Sequence, residues 1–411
     1  MRRGACLATG THDPVRGGES GLMTNRRTLG FLLVTAAIAT AAALMPRQRP
    51  MPAESATATL ADQLPAALSD SAFGRLIERL SEASGYFDTD NLISNESSYL
   101  HVLGKLQSLG VSGGAYLGVG PEQNFSYIVP IRPRLAFILD IRRDNLLEHL
   151  MFKVLFEAAP TRIEYLSLLF GRQPPADPGS WQDRPITDLV QYIDASRPDR
   201  ARREAAQKLL FDSVQTIGYP LSPEDITTIE RIHGTFVDAG TALRYNSHGR
   251  APRASYPTYR QLMLETDRSG RRANYLATEQ GYRFLREMQQ RNLIIPVVGY
   301  FAGDHALRDM GTYLRQNGLV MSAFYLSNVE FYLWQDRTFG RFASNVATLP
   351  FNDTTVMIRS LFGRVYGHPQ AVVGYNSTQL MQRMKGFVGE WEAGGYATYG
   401  DLVYKGYIDL R

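Results

Sequence analysis

Seven residues carry the chemistry that the spacing of this chain suggests: Gly118, Gly120, Glu122, Asn124, Asp140, Asp304 and Asn328. The stretch AYLGVGPEQNFSYIVPIRPRLAFILD, residues 115–140, contains five of them. Its apolar run Ala115–Val119 meets Gly118 and Gly120, and Pro121-Glu122-Gln123-Asn124 then signals a helix start. A second apolar run, Leu135–Leu139, ends in Asp140. Strand, glycine loop, short helix and acid-tipped strand together make the pattern of a nucleotide-binding βαβ unit. Glycines let the backbone approach a ligand. A helix N-terminus offers unpaired N–H groups. Asp140 lies 22 positions after Gly118, near the roughly 20 expected of an acid that accepts ribose hydroxyls.

A second unit follows the same plan. Leu293–Val298 (LIIPVV) reads as a buried parallel strand, and Gly299–Gly303 leads to Asp304, an expected N-cap for a helix over 305–316. Leu319–Leu326 is the next strand, followed by Asn328 and Glu330. If both units share one sheet, these groups converge at the strand C-terminal ends, where ligands of open α/β sheets bind. Arg142 and Arg143, just past Asp140, are expected either to meet a ligand phosphate or to face water.

Other chemistries find less support. Cys6 is the only cysteine, so disulfides and thiol metal sites are excluded from the body. The seven histidines, at 12, 101, 149, 233, 248, 305 and 368, show no metal-ligand spacing. Residues 110–114 (GVSGG) satisfy G-x-S-x-G, but a helix precedes them and a strand follows, the reverse of a nucleophile elbow. A Walker-type phosphate loop is absent from the sequence.

The elements that must position the seven residues point to a mostly parallel, Rossmann-like α/β sheet flanked by helices. Helices are expected near 72–84, 94–110, 145–158, 162–170 and 275–291. Residues 171–272 read as a helical insertion, with a long irregular loop over 238–260. Strands are expected at 356–361 and 371–374, some of them antiparallel, with a helix over 377–389. The body, 59–411, is expected to form one domain.

Residues 1–58 read as a leader and linker. Leu29–Met45 is a 17-residue run without charge, preceded by Arg26-Arg27 and containing small-residue cleavage sites. This is the plan of a signal peptide, or of a retained membrane anchor. Asn25–Leu29 resembles a twin-arginine export signal, and Met23 is an alternative start. The expected location is therefore periplasmic, extracellular or membrane-anchored, with the membrane met only through this segment. Of 44 basic and 40 acidic residues, seven and three fall in 1–58, leaving 37 of each in the body. A neutral body argues against nucleic-acid binding driven by phosphate charge.

Residues 116–140 resemble the nucleotide-binding half of class I S-adenosylmethionine-dependent methyltransferases. The resemblance implies that Gly118 and Gly120 form the ligand loop and that Asp140 binds the ribose. Tyr116 stands where that family has its first acid and Glu122 where it has a third glycine; no Asn-Pro-Pro-Tyr motif follows the later strand. The stretches YLGVGPEQNFSYI, LAFILDIRRDNLLEHLMFKVLFE, LIIPVVGYFAG and VMSAFYLSNVE are similar to an uncharacterised bacterial family with such a core, over about 115–170 and 255–360. The implied ligand is S-adenosylmethionine and the implied activity methyl transfer to an unidentified acceptor. The alternatives are an exported, non-catalytic binding protein of degenerate Rossmann-like fold, and an NAD(P)-dependent oxidoreductase.

Overall fold

Continuous apolar runs become buried strands. Ala115–Gly118 (β1), Leu135–Asp140 (β2), Ile294–Val298 (β3) and Met321–Tyr325 (β4) are buried along their whole length, as parallel strands covered on both faces must be. Val356–Phe362 (β5) and Ser377–Arg383 (β6) complete a six-stranded sheet of order β3-β2-β1-β4-β5-β6. All neighbours are parallel except β5 and β6, which pair antiparallel from Val356↔Arg383 to Phe362↔Ser377. The computed structural model describes residues 66–411, apart from 249, 251–252 and 364–366. The expected leader lies outside the described residues.

Helices flank the sheet. In chain order they are α1 (Asp70–Leu80), α2 (Leu103–Ser108), α3 (Gln123–Ile131), α4 (Arg143–Ala158), α5 (Arg162–Leu169), α6 (Ile186–Ala195), α7 (Arg200–Val214) and α8 (Pro223–Ala239). There follow α9 (Tyr259–Met263), α10 (Glu279–Gln290), α11 (Ala306–Gln316), α12 (Val329–Gln335), α13 (Phe339–Ala347), α14 (Met384–Glu392) and α15 (Tyr399–Tyr404). Capping residues set several starts. Ser222 and Asp225 form a reciprocal capping box on α8, and Thr258 with Gln261 does the same for α9.

The helix α4 is the axis of the helical side. Every residue from Asn145 to Phe156 is buried, and the helix packs against β3, α7, α8 and α10. A helix enclosed all round belongs inside a large core. The described residues share one large apolar cluster, with a small satellite of Leu361, Leu380 and Val403.

Three expectations change. The segment 371–374 is a turn, and the expected helix over 377–389 is β6 followed by α14. Seven ladder pairs with β5 outweigh the helical propensity of Leu, Met and Gln in that segment. The expected helix over 94–110 is a 3-10 turn, Tyr99–Val102, running into α2. Ser94 caps neither; its hydroxyl accepts the Glu96 N–H at 3.1 Å.

Candidate functional site

At the end of β1 the chain turns through Gly118-Val119-Gly120. An ideal Cβ on Gly118 would lie 1.8 Å from Asn124 Oδ1, so only glycine fits there. Gly120 has φ +81°, which glycine adopts without cost. Asn124, fully buried in α3, ties the loop. Its Nδ2 donates to the carbonyls of Val119, Gly120 and Pro121 at 2.9, 3.2 and 2.8 Å, and its Oδ1 accepts Tyr116 O–H at 2.8 Å. Tyr116 is thus part of the loop's scaffold.

At the end of β2, Asp140 lies level with Val298 of β3. Its carboxylate is already gripped. Oδ1 accepts Arg142 N–H at 2.9 Å and Nε at 3.1 Å, and Oδ2 accepts Nη2 at 3.1 Å. A carboxylate offers about four acceptor positions, so Oδ2 keeps one for a further donor. Arg142 Nη1 donates to the Asp90 carbonyl at 2.6 Å. Arg142 therefore neither faces water nor stands free, and Arg143 is held by Asp225 at 2.6 Å.

Beyond β4, Ser327 adopts φ +50° and donates to the buried Glu96 carboxylate. Ser360 and Gln379 donate to the same carboxylate at 2.5 and 2.7 Å. Burial raises the Glu96 pKa against the lowering effect of these bonds. Beyond β3, Glu82 accepts the backbone N–H groups of Tyr300, His305 and Ala306 at 3.1, 2.7 and 3.0 Å. Burial opposes, but these bonds and the His305 ring hold its carboxyl below the ordinary range.

A cavity of about 260 Å³ opens where these ends meet. Gly120, Gln123, Asp140, Arg142 and Asn328 line its inner part. Tyr86, Phe87, Tyr245, Tyr300 and Tyr332 supply an aromatic rim, with Phe87 edge-on to Tyr332 at 5.0 Å. The rim carboxylate Asp336 is exposed.

Three of the seven candidate residues, Gly120, Asp140 and Asn328, line this cavity. Gly118 and Asn124 build the loop behind it. Asp304 is elsewhere: its side chain is exposed and pairs with Arg341, while the cap of α11 comes from Glu82. Glu330 is buried against Arg359 at 2.6 Å. Glu122 points inward. Its Oε2 has no partner, and burial pushes its pKa up to about 8. Glu148 of α4 has neither oxygen partnered; burial first, and the Glu122 carboxyl second, push it well above the ordinary range. Beside it, His149 Nε2 lies 2.9 Å from the Gly120 carbonyl, and burial pushes its pKa down to about 4. A neutral ring must donate through Nε2 here, because the carbonyl only accepts.

A family described as a domain of unknown function, DUF7790, matches residues 92–174 and 225–388. These ranges span more than half of the chain. The chain belongs to this family. The DUF7790 match takes in all six strands and most of the cavity wall, and it passes over 175–224, which holds α6 and α7. The rim residues Tyr86 and Phe87 precede it. No curated protein matches the chain. Among the described residues no group of three or more His, Cys, Asp or Glu is placed to hold a metal ion.

The aromatic rim, Glu96 and Glu82 escaped the sequence reading. Tyr86-Phe87 sits in a short polar segment and Tyr332 in the aromatic run VEFYLW, and neither carries a motif. Glu82 acts on backbone groups more than 200 residues away, and spacing cannot register such a contact.

Proposed function

We infer that this chain binds S-adenosylmethionine or a closely similar nucleoside in the cavity above β1, β2 and β4, as a methyltransferase-like protein. One observation carries the reading. Glycine loop, strand-end carboxylate and Asn328 meet in one cavity at the point where the sheet order reverses between β1 and β4, where doubly wound sheets take their ligands. The Oδ2 position left open on Asp140 suits one ribose hydroxyl, and the aromatic rim suits the flat face of a base.

Two features favour a single nucleoside over a nicotinamide dinucleotide. A dinucleotide fold joins two parallel mononucleotide halves, and the antiparallel β6 interrupts the second half. A cavity of about 260 Å³ also sits near the lower end of small-molecule pockets, roughly 300–1,000 Å³. For methyl transfer, Asp336 is the rim carboxylate available to take a proton from an acceptor. The alternative is a binding protein that keeps the pocket without the chemistry. It draws support from the absence of a catalytic motif after β4.

Calorimetric titration of the full-length protein with S-adenosylmethionine, S-adenosylhomocysteine, NAD and NADP tests this. The first two are expected to bind, and Asn328→Ala and Asp140→Asn to weaken them by about tenfold, the worth of one charge-assisted or pocket hydrogen bond. Binding of NAD or NADP alone would favour the oxidoreductase. Binding of none of the four would end the nucleoside reading. Bound nucleoside without transfer to any acceptor pool would favour the non-catalytic alternative.

A further inference from the structure

The strand-turn-helix order that residues 110–114 lack is present at the end of β4. There the chain runs from Tyr325 through Leu326, Ser327 and Asn328 into α12. Ser327 sits in the left-handed region, at φ +50°. Among the described residues, five non-glycine residues have positive φ. Three of them, Arg132, Asn292 and Arg337, lie at the C-terminal ends of α3, α10 and α12, where such a conformation closes a helix. Ser327 closes no helix; it follows a strand and precedes one. Backbone strain of this kind persists only where the surroundings over-determine it, and it collects at functional sites.

Three backbone hydrogen bonds hold the turn. The Ser327 carbonyl accepts Ser360 N–H at 2.7 Å, Leu326 N–H donates to the Ile358 carbonyl at 2.8 Å, and Val329 N–H donates to the Leu326 carbonyl at 3.1 Å. The turn is thus pinned to β5, and Ser327 lines the cavity. This is the plan of a nucleophile elbow, a serine raised on a sharp turn between strand and helix at the edge of an α/β sheet. Tyr325 and Val329 stand where that elbow has its glycines.

The hydroxyl has a base beside it. Ser327 O–H donates to Glu96 Oε1, and Glu96 lines the same cavity while only 1% exposed. Its other oxygen, Oε2, accepts Ser360 O–H at 2.5 Å and Gln379 Nε2 at 2.7 Å, and Gln379 Nε2 also donates to Ser360 Oγ at 2.6 Å. One carboxylate oxygen is therefore held by the core, and the other is turned to the Ser327 hydroxyl. A nucleophile within hydrogen-bond reach of a base, with the base oriented by further groups, is the arrangement that activates a serine. Donors for an oxyanion line the cavity too. Gln123 Nε2 and Asn91 Nδ2 converge on Gly120, 3.3 and 3.5 Å from where a Cβ would stand. Gln123 Nε2 donates one N–H to the Tyr325 hydroxyl at 3.3 Å and keeps its second.

We propose that Ser327 is the nucleophile and Glu96 the general base of an acyl-transfer site that cleaves a carboxylic ester in this cavity. Ser327 Oγ adds to the ester carbonyl carbon, and its proton passes to Glu96 Oε1. The amides of Asn91 and Gln123 donate to the tetrahedral oxyanion. The bond to the alcohol oxygen then breaks, and Glu96 returns the proton to that oxygen, leaving the acyl group on Ser327. Water adds to the acyl carbon and gives a proton to Glu96; the bond to Oγ breaks, Ser327 regains the proton, and the carboxylic acid leaves. One ester and one water are consumed, and both side chains end as they began. This site goes beyond the nucleoside reading and does not rest on it.

Diisopropyl fluorophosphate added to the full-length protein tests this. Oγ displaces fluoride from phosphorus as its proton passes to Glu96, so an activated Ser327 is marked by a stable phosphoryl ester. Mass spectrometry of the intact protein and of its peptides is expected to find one such group, on Ser327. S327G is expected to abolish it; glycine takes a positive φ without cost, so this variant keeps the turn. E96Q is expected to slow labelling by about 100-fold, within the range a general base contributes. Wild type is also expected to release nitrophenol from p-nitrophenyl acetate in a burst, the mark of an acyl-enzyme, and S327G to lose it. No label, a label on another residue alone, or equal labelling rates in wild type and E96Q overturns the proposal. The position of the wild-type label decides the nucleophile even if E96Q does not fold. S-adenosylhomocysteine titrated calorimetrically into the same samples separates the two readings. A labelled Ser327 without its binding keeps the nucleophile and removes the nucleoside; its binding without a label does the reverse.

Discussion

Glu122 and Glu148 place two carboxyl groups in a buried site behind the glycine loop, with three oxygens lacking any protein partner among the described residues. An ionised carboxylate there would lose its water without gaining a counter-charge, so the neutral form is favoured. The folded-state pKa of Glu122 stands at about 8 against an ordinary value near 4.5. A raised folded pKa gives stability that is fully present below the unfolded value and lost as pH rises through the folded one. The contribution of Glu122 should therefore be lost between about pH 4.5 and 8. Glu122→Gln and Glu148→Gln keep shape and remove the titration. Each is expected to raise the melting temperature at pH 8 with little change at pH 5, by an amount corresponding to about 1–3 kcal/mol. The double variant should gain less than the sum, because neighbouring carboxyls titrate as a pair. Melting curves at the two pH values check this; equal shifts at both would show that the carboxyls are not held neutral. Legibility at this scale was uneven. Asp140 was identifiable from its distance to the glycines. Glu122 stands at the helix start beside the loop glycines in the sequence, yet the direction of a side chain in a turn is set by tertiary packing. Arg142 lies two residues past Asp140, and only the bend after β2 turns it back onto the acid.

The glycine loop is the element that the candidate site depends on, and Asn124 holds it. Replacing Asn124 by Ala frees three carbonyls and leaves the buried Tyr116 hydroxyl without its acceptor. Each unsatisfied buried group costs about 1–3 kcal/mol, so Asn124→Ala should cost at least about 2 kcal/mol and several degrees of melting temperature. Nucleoside affinity should fall further than stability alone accounts for, since Gly120 lines the cavity. A denaturant titration paired with calorimetry checks both, and an unchanged midpoint would mean the loop stands without the amide. Strands β1 to β4 were legible because parallel strands buried on both faces read as continuous apolar runs. The strand β6 was not. Its sequence STQLMQR carries polar residues into the core, where Gln379 serves Glu96 and Gln382 accepts from Arg359 at 2.8 Å. Hydrophobic period cannot detect a strand whose inward residues are glutamines satisfied by partners elsewhere in the chain. The cap of α11 failed for a related reason: Asp304 has the right residue type, but the helix opens one position later with His305 at its N-cap, and Glu82 accepts the N–H groups there.

Across the whole sequence the charge is uneven, with a neutral body over 59–411 and a net positive segment over 1–58. The insertion joins that body firmly. Helices α6 and α7 lie outside the DUF7790 match, yet they bury Leu189, Ile193, Leu210 and Val214, and α7 packs on α4. Among the described residues no helix is long and apolar enough to cross a membrane. If Arg26-Arg27 before the uncharged run Leu29–Met45 act as a twin-arginine signal, the body would be exported folded, and a folded body is able to carry a ligand loaded in the cytoplasm. Fractionation of bacterial cells producing the full chain should find the body in the periplasmic or membrane fraction. Arg26→Lys with Arg27→Lys should hold it in the cytoplasm, with the fold unchanged because those residues precede the described body. A double variant that partitions like wild type would remove the twin-arginine route while leaving a general signal or anchor. Wild type confined to the cytoplasm would remove the leader reading altogether. Native mass spectrometry of exported protein then decides whether cargo travels with it: a mass increment lost in Asn328→Ala would place that cargo in the cavity, and an exported body with no increment would mean that the pocket leaves the cytoplasm empty.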